Sequence, residues 1–265
     1  MILHDLHTHT DYSDGSHSID LQVLIARAMG LKAIAFTDHF GPGWKLHDTP
    51  GAFDAYLADI DRVRIHLDDL IVLKGVEAAA LDCTGRLSIT EAQAARVEWV
   101  LCDLGGASEG TLRNTPASKR RYAENVVRTY MCLCDVPFLN VIAHPFNTGN
   151  TNPPLLPADY PRSLLAELAE KMARRGKVFD VMNLMVFWFQ GAGISPAELT
   201  AQYADLVRTF AAAGVRFQVS SDDHRCGIGH TVWAEKVLKL ARVPKSQTVD
   251  PAGIPLKKTQ KGSEA

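Results

Sequence analysis

The chain has 265 residues, of which 46% are hydrophobic and 22% charged, and it is therefore long enough for a globular fold with a substantial core. Its formal net charge of −2 excludes the strongly basic surface that many nucleic-acid-binding and membrane-surface proteins use. The sequence has no apolar run of roughly eighteen residues and no signal-peptide pattern, so we expect a cytoplasmic protein without a membrane span. Five cysteines without a C-x-x-C pair argue against a disulfide framework.

The first fifteen residues combine a short apolar strand with two histidines and an aspartate. The strand leads into His7 and His9, whose side chains share one face because side chains alternate along an extended strand. Asp14, in the following loop, can place its carboxylate on the same side of the strand as the two histidines. We therefore predict that these three residues contribute to a metal site, although a His-x-His pair by itself also occurs as two surface histidines.

Histidines and acidic residues recur at the ends of later apolar segments. Hydrophobic periodicity predicts further strands at residues 33–37, 71–77, 99–104, 138–143, 178–186 and 215–221. It predicts helices at residues 18–30, 53–70, 89–96, 119–134, 164–175, 195–214 and 232–241. The potential ligands at the ends of these strands are His39, Glu77, His144, Asp222 and His224. Histidines that only fill a core have no reason to gather repeatedly at strand ends.

Alternating strands and helices predict an α/β fold with a parallel sheet, in which ligands gather at the carboxyl ends of the strands. A doubly wound sheet would place its site mainly at one switch point. Potential ligands on five different strands instead require the strand ends to converge around an axis. We predict a distorted, TIM-like (βα)7 barrel as a single domain over residues 1–243, followed by a polar C-terminal tail over residues 244–265.

The segment after the fourth predicted strand is polar and rich in glycine. Residues 105–118 form a candidate lid, and Arg113 within it is a candidate contact for a substrate phosphate. A plain surface loop with an exposed arginine is an equal alternative for this segment.

Together, these motifs resemble those of the PHP (polymerase and histidinol phosphatase) family. The similar motifs occur in the family's order at residues 5–10, 13–15, 37–39, 75–77, 143–145 and 220–224. The resemblance extends over most of the chain and implies a distorted (βα)7 barrel with two or three zinc, manganese or iron ions. It also implies hydrolysis of phosphate esters.

The resemblance further implies how the ligands are shared among the ions. The first ion would be held by His7, His9, Glu77 and Asp222, the second by Glu77 as a bridge and His144, and the third by Asp14, His39 and His224. The family usually has a further histidine just after the fourth strand, where this chain has Gly105. We therefore expect the second ion to be weak or absent, or to be helped by Asp103.

The chemistry of this ligand set predicts a hydrolase. Mixed imidazole and carboxylate donors suit zinc, manganese or iron, which lower the pKa of a bound water to about 7. We predict a phosphoesterase in which metal-bound hydroxide, held by His7, His9, Glu77 and Asp222, attacks phosphorus in a small phosphorylated metabolite or nucleotide. Nucleic-acid and membrane partners are not expected. The alternatives are a histidinol phosphatase specifically, a metal hydrolase of C–N or C–O bonds, and a noncatalytic metal-binding barrel.

Overall fold

The computed structural model describes residues 2–257 and shows eight parallel strands surrounded by helices. The strands are β1 (His4–Thr8), β2 (Ala33–Phe36), β3 (His39–Phe40), β4 (Ile71–Ala79), β5 (Trp99–Asp103), β6 (Val141–Ile142), β7 (Val178–Met182) and β8 (Arg216–Ser220). The helices are α1 (Ile19–Ala28), α2 (Lys45–Asp48), α3 (Ala52–Arg64), α4 (Glu91–Ala94), α5 (Lys119–Leu133), α6 (Arg162–Arg174), α7 (Met185–Trp188), α8 (Pro196–Ala212) and α9 (Val232–Ala241). None of the helices within residues 2–257 has the length and apolar character needed to cross a membrane.

The strands form a parallel sheet that closes on itself at their carboxyl ends. Neighbouring strands follow the order β1-β2-β4-β5-β6-β7-β8, and the short β3 continues beside β4 beyond the end of β2. Backbone hydrogen bonds join the first and last strands, from His9 N to Asp223 O at 2.9 Å and from Asp222 N to His7 O at 3.1 Å. The predicted α/β fold, a distorted (βα)7 barrel in a single domain, is confirmed.

Alternation along each strand separates the barrel interior from the layer under the helices. In β2, Ala33 and Ala35 belong to the cluster inside the barrel, whereas Ile34 and Phe36 pack beneath the helices. The interior cluster continues with Leu6, Leu73, Trp99, Leu101, Val141, Ala143, Val178 and Val249. Polar residues occupy the interior nearer the carboxyl ends of the strands, and this positions the candidate site.

Two predicted elements end four or more residues earlier in the structure than in the sequence-based prediction. Helix α3 ends at Arg64 rather than at residue 70, and Ile65, His66, Asp68 and Asp69 after it are exposed. Strand β7 ends at Met182, and Asn183 then accepts a hydrogen bond from Trp233 N at 2.8 Å instead of continuing a strand. The remaining residues of the predicted strand enter the short helix α7 above the carboxyl end of the barrel.

Residues 244–257, the described part of the predicted polar tail, pack against the amino end of the barrel. Val249 N donates to Phe217 O at 2.8 Å, and the Val249 side chain is buried in the interior cluster. Ile254 packs against the same cluster, and Lys257 N donates to Glu98 Oε1 at 2.9 Å. This segment therefore covers the lower end of the barrel, whereas residues 258–265 lie outside the described residues.

We predict that truncation after Val243 destabilises the protein. The truncation removes Val249 and Ile254 from the interior cluster, and burial of one such side chain contributes about 1.5–3 kcal/mol. Thermal unfolding followed by circular dichroism should show a lower melting temperature than that of a chain ending at Lys257. Equal melting temperatures for the two truncated chains would show that residues 244–257 do not support the barrel.

Candidate metal centre

The structure brings together all eight side chains that were predicted as metal ligands. They lie at or just beyond the carboxyl ends of the strands: His7, His9, Asp14, His39, Glu77, His144, Asp222 and His224. The side chains of His7 and Glu77 are fully buried, whereas those of Asp14 and His224 are 40% and 31% exposed. The cluster therefore has a buried floor and an open rim.

The buried part of the cluster contains three donor atoms with the spacing of a single ion site. His7 Nε2 lies 3.1 Å from His9 Nε2 and 3.4 Å from Asp222 Oδ1, and His9 Nε2 lies 3.1 Å from the same carboxylate oxygen. Bonds of about 2.1 Å in a tetrahedral site separate neighbouring donors by about 3.4 Å. These three residues therefore fit one tetrahedrally coordinated ion.

Glu77 lies between this buried group and the other imidazoles. Its Oε1 is 3.3 Å from His7 Nε2 and 3.1 Å from His144 Nε2. Its Oε2 is 2.8 Å from His39 Nδ1 and 3.6 Å from His9 Nε2. A carboxylate whose two oxygens face different sets of nitrogens is suited to bridging two ions.

A second group of donors forms the open rim. Asp14 Oδ1 lies 3.3 Å from His224 Nε2, 3.6 Å from His39 Nε2 and 4.0 Å from His9 Nδ1. His9 Nδ1 is buried and has no hydrogen-bond partner within the described residues. The structure thus places His9 between the buried group and the rim, whereas the resemblance assigned it only to the first ion. The division of ligands among ions stays a prediction.

The charge balance of the cluster favours a bound cation. Within residues 2–257, no lysine or arginine forms an ion pair with Asp14, Glu77 or Asp222, so imidazoles are their charged neighbours. Burial opposes the ionised form of Glu77, but the charges of His7 and His39 outweigh it and hold its pKa well below the usual range. A buried carboxylate without a cation is costly, and divalent ions fit this imidazole and carboxylate donor set.

The histidines of the cluster respond to the same charges in different ways. Burial lowers the pKa of His39, but Glu77 and Asp14 outweigh burial and raise it to about 9. Burial and the charge of His39 instead lower the pKa of His9 to about 3. His9 is therefore a neutral imidazole over the physiological pH range, which is the form that binds a metal ion.

Two buried carboxylates anchor the loops that carry the candidate ligands. Asp5 accepts a hydrogen bond from Ser221 N at 3.0 Å and so fixes the chain just before Asp222. Asp38 accepts hydrogen bonds from Thr10 N at 2.8 Å and from Ser13 Oγ at 2.7 Å. Acidic residues next to the predicted ligands therefore support the loops on which those ligands lie.

Backbone conformation also contributes to the site. His144 and Asp222 have φ angles of 27° and 54°, in a region that residues other than glycine seldom adopt. Such conformations occur mainly where the surrounding structure enforces them, often at functional sites. The turns at the ends of β6 and β8 thus direct these two side chains into the cluster.

Asp180, which is not among the residues predicted for the site, holds His7 in place from below. Asp180 Oδ2 lies 3.0 Å from His7 Nδ1, and its Oδ1 accepts a hydrogen bond from Gln218 Nε2 at 3.1 Å. Gln218 Oε1 in turn accepts from Trp99 Nε1 at 3.2 Å, so a buried polar chain runs through the barrel interior. An aspartate within the apolar strand 178–182 was the only signal in the sequence.

The remaining predicted site residue, Arg113, lies apart from the eight converging side chains. Its side chain is 64% exposed, and its Nε is 3.6 Å from Glu109 Oε2. Two tryptophans lie closer to the cluster: the ring of Trp44 stacks on His39 at 4.3 Å between centroids, and that of Trp188 stacks on His144 at 6.0 Å. Aromatic surfaces therefore flank the candidate centre.

Comparison with known proteins gives results at the level of sequence and fold. The family model described as the PHP domain matches residues 5–133. A probable phosphatase of Caldanaerobacter subterraneus is 27% identical over 248 residues, covering 91% of this chain and 84% of that protein. A probable phosphatase of Acetivibrio thermocellus is 28% identical over 224 residues, covering 83% and 78%.

A solved structure supports the fold. It is the histidinol phosphate phosphatase of Lactococcus lactis, crystallised with zinc, L-histidinol and phosphate. The two chains superpose with a TM-score of 0.65 at 17% identity, covering 91% of this chain and 94% of the other. At this identity, the similarity shows a shared fold.

We predict that Asp180→Asn weakens metal binding while the fold is retained. The amide keeps the shape of the side chain but removes the charge that orients His7, and such supporting contacts change metal affinity by about 10- to 100-fold. Calorimetric titration of the chelator-treated protein with Zn²⁺ should show this loss. The matched control is Asp205→Asn, on the exposed surface of α8. Equal affinities in the two variants would rule out this role for Asp180.

We also predict a pH-dependent stability of the metal-free protein. The pKa of His39 is raised in the folded state to about 9, above its ordinary value of 6.5. Protonated His39 therefore stabilises the fold fully below pH 6.5, and this contribution is lost as the pH rises towards 9. The melting temperature of the chelated protein should fall over this interval more steeply than that of His39→Gln. Equal slopes of melting temperature against pH for the two proteins would contradict the raised pKa of His39.

Proposed function

We propose that the chain is a PHP-domain hydrolase of the phosphatase type, which acts on a small phosphorylated metabolite or nucleotide with the help of bound divalent metal ions. The observation that carries this proposal is the spacing of the donor atoms. Side chains from different strands place nitrogen and carboxylate oxygen atoms 3.1–3.4 Å apart around His7, His9 and Asp222. This is the separation expected for donors that share one ion.

We propose that all eight side chains hold the ions and that the substrate approaches the rim formed by Asp14, His39 and His224. Bound zinc, manganese or iron ions lower the pKa of a coordinated water to about 7 and polarise phosphoryl oxygens. His7, His9, Glu77, His144 and Asp222 supply donors from the floor, while Asp180 keeps His7 Nε2 directed into the cluster. The barrel wall excludes water from this floor, which strengthens its electrostatic interactions.

The direction of substrate entry follows from side-chain exposure. His7 and Glu77 are fully buried, whereas His39 is 20% and Asp14 40% exposed. A phosphate ester therefore approaches from the side of Asp14, His39 and His224. Arg113, in the segment after β5, remains part of the proposal as an anion contact, and its exposure leaves its guanidinium accessible to a ligand.

We predict that metal content and phosphatase activity depend on the same residues. His9→Ala and Asp222→Asn each remove a donor of the buried group, so turnover of phosphomonoesters should fall by more than about 100-fold, the upper range for changes in supporting contacts alone. The measurement combines elemental analysis of protein purified without chelator with two assays: release of inorganic phosphate from phosphomonoesters, and release of the alcohol product from phosphodiesters. His66→Ala and Asp205→Asn, both on the surface, are the matched controls.

Each outcome of this experiment distinguishes between functions. Bound ions together with phosphate release that is lost only in the two cluster variants would support the proposal and identify the ester class. Bound ions without hydrolysis of any phosphate ester would favour a noncatalytic metal-binding barrel. Cleavage of amide or carboxylic-ester substrates added to the panel, with no cleavage of any phosphate ester, would place the chain among other metal hydrolases.

A further inference from the structure

The tryptophans of the chain fall into two pairs that differ in how their indole N–H groups are used. Trp99 and Trp233 donate theirs to side chains of other elements, at 3.2 and 2.9 Å. Trp44 and Trp188 are half-buried, and neither donates its indole N–H to another residue within residues 2–257. Since a tryptophan usually finds a hydrogen-bond partner for this group, only the second pair has a donor available for a ligand.

The second pair flanks the candidate metal centre. The ring of Trp44 lies 4.3 Å between centroids from the ring of His39. The ring of Trp188 lies 6.0 Å from the ring of His144. These two imidazoles contact different oxygens of Glu77, with His39 Nδ1 2.8 Å from Oε2 and His144 Nε2 3.1 Å from Oε1. Each indole is therefore one imidazole away from the Glu77 carboxylate, on opposite sides of it.

The turn that carries Trp44 is held in place by other residues. Phe40 and Leu46, on either side of it, are buried in the layer under the helices. Gly43 N donates to Asp48 Oδ2 at 2.7 Å and closes the turn. The indole itself packs against neither apolar cluster, and the imidazole at the metal centre is its one ring partner within residues 2–257. The fold therefore presents this ring beside the site without using it to fill the core.

Helix α7 presents Trp188 on the other side of the site. Met185 anchors this short helix in the layer under the helices, against which Trp188 also packs in part. A Cβ atom at Gly149 would lie 2.7 Å from the backbone oxygen of Trp188, so the loop after β6 packs directly on the helix. Phe187, in the same helix, is 63% exposed. This edge of the rim is therefore apolar, and exposed apolar surface beside a polar site is typical of ligand binding.

We infer that Trp44 and Trp188 form an aromatic subsite that favours phosphate monoesters whose alcohol carries a planar ring. This inference rests on the proposed phosphatase function, because it concerns the part of the substrate beyond the phosphate. His39 covers one face of the Trp44 indole, so the other face and the N–H edge contact the ligand. Stacking of a ring on an aromatic side chain increases affinity by about 5- to 100-fold, and ring nitrogens can also accept from an indole N–H.

The test compares two ligands that differ in whether one ring is planar. The ligands 3-phenylpropylphosphonate and 3-cyclohexylpropylphosphonate carry the same non-hydrolysable head and chain, and the cyclohexyl ring is the more hydrophobic. Calorimetric titration of the full chain loaded with Zn²⁺ measures both affinities without turnover. We expect the phenyl compound to bind at least about fivefold tighter, because only the planar ring stacks on an indole.

Variants of the two tryptophans assign this preference to the subsite. Trp44→Leu keeps an apolar side chain without the indole, so the preference for the phenyl compound should disappear. Trp44→Phe keeps a ring and should retain the preference, and Trp44→Met replaces the leucine variant if the latter does not fold. Trp188→Leu should reduce the preference at least about twofold. Trp233→Phe, whose indole N–H is used within the fold, is the matched control and should bind both ligands as the wild type does.

Hydrolysis by the same proteins distinguishes two sources of the planar ring. AMP and ribose 5-phosphate share the same type of primary phosphate ester, as do 2-phenylethyl phosphate and 2-cyclohexylethyl phosphate. A larger ratio of kcat/KM within the first pair identifies a nucleobase, and a larger ratio within the second pair identifies a phenyl-like ring. Trp44→Leu should raise KM for the ring-bearing ester at least about fivefold and leave kcat within about twofold, as expected for lost binding.

The outcomes separate this inference from the proposed function. Equal affinities of the two phosphonates for the wild-type chain, or a phenyl preference that persists in Trp44→Leu, would contradict the subsite but not the phosphatase. An unchanged preference in Trp188→Leu would remove Trp188 from the subsite. A phenyl preference that depends on Trp44, in a chain that hydrolyses no phosphate ester, would contradict the proposed function but not the subsite. Absence of both phosphonate binding and hydrolysis would overturn both.

Discussion

The structure depends on keeping the carboxylate of Glu77 inside the barrel among imidazoles. The side chain is fully buried and lies within 3.6 Å of nitrogen atoms from His7, His9, His39 and His144. Ionised carboxylates are expensive to bury, and the surrounding positive charge offsets that cost in the metal-free protein. Divalent ions bound at the proposed site would take over this role and displace the protons from the imidazoles. The same electrostatic requirement thus links protonation, metal binding and stability.

The parallel barrel meets this requirement because its strands end at one place. The interior is filled by apolar side chains at the amino end, among them Leu6, Leu73 and Leu101, and this layer supports the polar layer above it. Asp180 and Gln218 connect the two layers through hydrogen bonds, so the position of His7 is fixed from below as well as from the side. The strands of the rigid barrel carry some of the candidate ligands, and loops anchored by Asp5 and Asp38 carry the others.

Similar side chains of the cluster differ in burial, because some lie on its buried floor and others on its exposed rim. In the proposed function, the buried imidazoles and carboxylates would hold ions away from competing water, whereas Asp14 and His224 are partly exposed and would face the substrate. Trp44 and Trp188, stacked on His39 and His144, limit the movement of the imidazoles at the sides of the site.

The sequence by itself determined the strand–helix alternation, the parallel barrel and the identity of the eight residues that converge. These follow from local patterns: hydrophobic periodicity defines the elements, and polar residues at strand ends identify the face where they meet. Helix starts are also defined locally, since the side chains of Ser18 and Ser195 accept hydrogen bonds from backbone N–H groups in the first turns of α1 and α8.

Only the tertiary structure decided which distant residues support the converging side chains and how their donor atoms are spaced. Asp180 is 173 positions from His7, so no local pattern could connect the two residues. The place of His9 between two groups of donors and the packing of Val249 both depend on distances of a few ångströms. Such distances follow from strand register and side-chain packing around the closed barrel, which are properties of the whole chain.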